Sequence, residues 1–137
     1  MRLNLSSSRR PDWNPILVVE PNSEVRRALV RALERDGWPV IESNSAESAL
    51  IGHQQVRLVV SEVELPGMDG YALASVLRAR SECLPVLLTS GAHDHIDSDV
   101  EGKGPLAFLP KPFPPTSLTT LVRAMLGAPL SSARLQS

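Results

Sequence analysis

The chain has 137 residues, 42% hydrophobic and 21% charged, with a formal net charge of −1. That length and composition favour one folded domain over disorder. They exclude a broad field for nucleic acid or an acidic membrane, a bilayer-spanning run, and, with Cys83 alone, an internal disulfide.

Residues 1–13 carry Arg2, Arg9 and Arg10 without the apolar stretch of a secretion signal, so they read as a flexible N-terminal tail. "PILVV" (Pro15 to Val19) is a continuous apolar run, as in a strand covered on both faces. "NSEVRRALVRALERDG" follows as a helix. Asn22 or Ser23 can cap it, Val25, Leu29, Ala32 and Leu33 recur at helical spacing, and Gly37 stops it. Residues 38–43 form a second strand. Residues 45–53 form a short helix capped by Ser45, with Ala46, Ala49, Leu50 and His53 on one face. The third strand spans 56–61. The helix over 69–80 should turn Leu73, Val76 and Leu77 inward, and the fourth strand is 84–90. "HDHIDSDVEG" (93–102) is a poor helix, anchored only by Ile96 and Val100 and crowded with acids, so a frayed fourth helix is expected. His93 and His95 invite a metal reading, but i and i+2 positions face apart on a helix, and a solvated acidic face is the better expectation. "LAFLP" (106–110) is the fifth strand. "PPTSLTTLVRAMLG" is the last helix, with Pro115 in its first turn and Leu118, Leu121, Val122, Met125 and Leu126 inward. Residues 127–137 read as a tail or linker stub.

Five strands alternating with helices predict an α/β domain over 14–126 with a parallel sheet covered on both faces. In such sheets the working site lies beyond the carboxyl ends of the strands. Glu20, Glu62, Thr89 and Lys111 all stand there. Clustered carboxylates can hold a hard cation such as Mg²⁺, and a carboxylate can accept a phosphoryl group. A lysine pairs with charged oxygens, and a hydroxyl adds one movable hydrogen bond.

In order along the chain stand "ILVVEPNSEVRRALVRALERDGW", "LVVSEVELPGMDGYAL", "LPVLLTSG" and "FLPKPF". Together they resemble the response-regulator receiver domain of two-component signalling, over roughly residues 14 to 126. The resemblance implies a flavodoxin-like (βα)5 three-layer sandwich with strand order 2-1-3-4-5. It also implies a phosphoaspartate made with Mg²⁺, a switching hydroxyl at Thr89, a following aromatic at Phe108, and an anion-pairing Lys111. The Lys111-Pro112 bond is expected to be cis on the same ground. An output face built from the fourth helix, fifth strand and fifth helix is implied too.

Two residues depart from the family pattern. Four residues before Pro66, at the phosphoacceptor position, stands Glu62 instead of aspartate. Its extra methylene displaces the carboxylate by about 1.5 Å. In-line transfer loses on the order of 100-fold for an error of about 1 Å. Pro21 replaces the second acid after the first strand, removing a cation ligand and an N–H. Glu20, Glu62 and the backbone carbonyl of Glu64 are the remaining Mg²⁺ ligands in a weakened acidic pocket. The expected function is therefore a non-enzymatic, phosphorylation-independent signalling module of the cytoplasm. Glu62 is expected to touch Lys111 or Thr89, and the partner to be a histidine kinase, an output protein or a second copy. The alternative is a working phosphoryl acceptor that uses Glu62 with Mg²⁺. A flavin-binding protein on this fold needs a Ser/Thr/Gly-rich loop after the first strand, and "EPNSEV" is not one.

Overall fold

The computed structural model describes residues 14–52, 55–91 and 100–127. Its strands are β1 (Ile16–Val19), β2 (Val40–Ser43), β3 (Leu58–Glu62), β4 (Val86–Ser90) and β5 (Leu106–Pro110). Its helices among the described residues are α1 (Ser23–Arg35), α2 (Ala46–Ile51), α3 (Gly70–Arg80) and α4 (Pro115–Leu126). The strands pair in parallel in the order β2-β1-β3-β4-β5, as expected.

Strand alternation divides the core in two. Leu17, Val19, Val59, Val86 and Leu88 pack with Ala46 and Ala49 of α2 and Leu73, Ala74 and Leu77 of α3. Ile16, Val18, Leu58, Val60 and Leu87 pack with Leu29, Val30 and Leu33 of α1 and Leu118 and Val122 of α4. Every residue of β1, β3 and β4 is buried, while β2 and β5, at the sheet edges, are only half-buried. That is why the central strands read as unbroken apolar runs.

The helices begin where local chemistry allows. Asn22 caps α1 by accepting from the Val25 N–H at 3.0 Å, so Asn22 and not Ser23 is the cap. Ser45 caps α2 and Asp69 caps α3 in the same way. Gly70 opens α3 hard against β3, where an added Cβ would lie 2.4 Å from the Glu62 carbonyl oxygen. The first and last helices are tied at their far ends. Asp36 accepts from Trp38 Nε1 at 3.1 Å and from both Nε and Nη2 of Arg123.

The helix faces differ from expectation at one place. Val76 is half-buried and belongs to neither core cluster, while Ala74 and Arg78 are buried. Arg78 donates to the carbonyls of Leu84 (2.9 Å), Gly104 (2.8 Å), Pro105 (2.7 Å) and Glu101 (3.4 Å). It thereby pins the segment entering β5 onto α3. That segment, 100–105, is not helical. His53, most of the expected fourth helix with His93 and His95, and nearly all of both tails lie outside the described residues.

Candidate functional site

Strand parity builds the site. The register pairs Val18 with Val60, Val60 with Leu87, and Leu87 with Ala107, all on the α1 and α4 side of the sheet. Two residues further on, each of these strands delivers Glu20, Glu62, Thr89 and, after four residues in β5, Lys111 to the same side. Lys111 N–H donates to the Ser90 carbonyl at 2.9 Å, and Lys111-Pro112 is cis.

The Lys111 ammonium bridges both carboxylates, at 2.7 Å from Glu20 Oε1 and 2.5 Å from Glu62 Oε1. Each second carboxylate oxygen accepts a backbone N–H two residues on. Glu20 Oε2 takes Asn22 N–H at 3.0 Å, and Glu62 Oε2 takes Glu64 N–H at 3.0 Å. All four carboxylate oxygens are thus engaged by this chain's own donors. Glu20 and Glu62 are 2% and 7% exposed. Such burial penalises a charge unless it is paired. Burial works against the Lys111 ammonium as well, but the hydrogen bonds to Glu20 and Glu62 and their charges outweigh it. Its pKa is raised above the ordinary lysine value.

Thr89 pairs in register with Glu62 and is fully buried, but among the described residues its Oγ1 has no hydrogen-bond partner. Of the two expected contacts of Glu62, the one to Lys111 is present and the one to Thr89 is not. The carboxylate is drawn toward the ammonium, the stronger partner. Phe108 lies on the opposite face of β5, packed against the α2 and α3 core. Glu64 is exposed and meets the pocket through its backbone N–H. Pro21 is exposed. Arg26 went unnoticed in the sequence. It donates to the Glu20 carbonyl at 2.8 Å and to Glu42 Oε1 at 2.9 Å, bracing the end of β1. Its position one helical turn into α1 was the available signal.

A buried pair of carboxylates at the carboxyl edge of a 2-1-3-4-5 sheet, bridged by a lysine, narrows the families to compare. Residues 16–123 match the response regulator receiver domain family. This chain belongs to that family. The receiver domain is 38% identical over 111 residues to the response regulator protein FleR of Pseudomonas aeruginosa, covering 78% of this chain and 23% of FleR. It is 37% identical over 117 residues to the sensor kinase CckA of Brucella abortus, covering 81% of this chain and 12% of that protein. The chain therefore spans a minor part of these curated relatives. Among solved structures, the receiver domain of the hybrid histidine kinase CckA is 31% identical, with a TM-score of 0.69 over 82% of this chain and 98% of that one.

Proposed function

We propose that this receiver domain signals without being phosphorylated, with Glu62 standing at the family's phosphoacceptor position. One observation carries the reading: Glu62 is already satisfied by Lys111 and by the Glu64 N–H. Both Glu62 oxygens are thus hydrogen-bonded within the chain, on a side chain one methylene too long for in-line attack. In this reading the domain is not an enzyme. It acts in the cytoplasm by binding a histidine kinase, an output protein or a second copy. The expected contact face is β5, α4 and the segment before β5. The half-buried Leu106 to Leu109 of the edge strand β5 support that choice.

The second reading, phosphoryl acceptance on Glu62, draws on Lys111 and Thr89, both placed at the pocket. Intact-mass measurement after incubation with Mg²⁺ and a small-molecule phosphoryl donor separates the two. An unchanged mass is expected. An acyl phosphate mapped to Glu62 overturns the proposal in favour of the second reading.

A further inference from the structure

Receiver-domain resemblance implies a bound Mg²⁺, and the residues here do not fit one. Among the described residues, no group of three or more His, Cys, Asp or Glu side chains is placed to hold a metal. Pro21 offers neither carboxylate nor N–H where a second acid would follow Glu20. The gap between the two carboxylates is spanned by an ammonium within 2.7 Å of each. Mg²⁺ would need those same oxygens at about 2.0–2.1 Å in octahedral geometry.

We infer that Lys111 replaces the divalent cation: its ammonium is the fixed counter-charge of the Glu20 and Glu62 pair and keeps metal out of the pocket. This rests on reading the pocket as the receiver site, and it adds what regulates that pocket. Charge balance carries the argument. Two carboxylates offset Lys111 with one negative charge to spare. A divalent ion added to that set turns one negative charge to spare into one positive charge to spare, so it brings no better balance and would have to take oxygens the ammonium already holds. A third carboxylate at position 21 would have balanced both cations, so the Pro21 change forces a choice between them. Lys111 wins because its backbone is already held. Pro110 and Pro112 flank it, and its N–H is bonded to Ser90.

Mn²⁺ titration of the whole chain, followed by water-proton relaxation and calorimetry, tests this. K111M should bind Mn²⁺ at least about tenfold more tightly than the unaltered chain, ~1.4 kcal/mol. K111R, which keeps the charge, should gain nothing, and adding E62Q to K111M should abolish the gain. Equal binding by the unaltered chain and K111M, or an equal gain in K111R, overturns the inference. Should K111M fail to fold, the ¹⁵N signal of Lys111 Nζ in the unaltered chain decides. It should stay fixed as Mg²⁺ is added, and a saturable shift contradicts the inference. Tight Mn²⁺ binding by a chain that takes no phosphoryl group sinks this inference alone. An acyl phosphate at Glu62 sinks the proposed function.

Discussion

Removing the Lys111 ammonium should cost more than any other single change at the site. Lys111→Met keeps most of the aliphatic stem and deletes the charge that bridges Glu20 and Glu62, whose side chains are 3% and 8% exposed. Breaking a buried pair by removing one partner costs about 3–5 kcal/mol. The Lys111 side chain is 23% exposed, which lets water take up part of the loss. The low end, about 3 kcal/mol, is the expected figure. Against a typical stability of about 5–15 kcal/mol this is a large fraction. For a domain of this size it lowers Tm by roughly 10 °C. Urea unfolding of K111M, E62Q and the double variant measures it. The double variant should lose less than the two single losses added, by at least ~1 kcal/mol, because both remove one contact. Additive losses within ~0.5 kcal/mol would mean that the two side chains do not interact in solution, and the reasoning would fail.

Four further outcomes follow from the same geometry. The raised Lys111 pKa means that its contribution is fully present below the unfolded lysine value of about 10.4 and disappears only as pH climbs through the still higher folded value. Stability that falls between neutral pH and mild alkali in the unaltered chain, but not in K111M, would contradict this. Arg78→Met removes the side-chain donor to the buried Leu84 carbonyl and to the half-buried Gly104 carbonyl, while Pro105 keeps the Val86 N–H at 2.9 Å, so a loss of about 1–3 kcal/mol is expected, with faster hydrogen exchange across 100–106. Unchanged exchange there would refute the pinning role. Gly70→Ala pushes a Cβ against the Glu62 carbonyl and should destabilise by about 1–3 kcal/mol while shifting the Lys111 Nζ signal. Stability loss without that shift would separate α3 docking from the site. Glu62→Gln weakens the bridge to Lys111 and should alter partner affinity or self-association. Identical affinity, by calorimetry or sedimentation, would remove Glu62 from control of the output.

The sheet was legible because its signal is one-dimensional. "ILVV", "LVV" and "VLL" are apolar on both faces, so each had to be a central strand, and the parity of their ends placed Glu20, Glu62 and Thr89 together. Two caps were equally local: Asn22 and Ser45 each accept an N–H three residues on, and Asp69, read as the first helical residue, does the same for Gly70–Arg80. What escaped depends on contacts across the fold. Arg78 occupies an inward position one helical turn from Ala74, but arginine composition argues for the surface. Its carbonyl partners, 6 to 27 residues away, come into view only once β4 and β5 are paired. Gly102 and Gly104 were the trace it left. Their Cβ atoms would collide with the Arg78 side chain and with the Cys83 and Leu84 backbone. Val76 was misjudged for the converse reason: an apolar residue at an acceptable spacing that the core does not reach. That the Thr89 hydroxyl has no partner among the described residues could not be foreseen, since whether Glu62 turns to Thr89 or to Lys111 is settled by competing charges.

In the proposed reading the two carboxylates are held from within the chain, with Lys111 in place of metal and phosphoryl group. The most direct test of that reading is beryllofluoride, a phosphoryl mimic, added with Mg²⁺ to the ¹⁵N-labelled chain while the amides of Glu62, Thr89, Phe108 and Lys111 are followed. No saturable shift is expected at any of the four. Saturable, coordinated shifts at Glu62 and Thr89 that depend on Mg²⁺ would contradict the proposed reading.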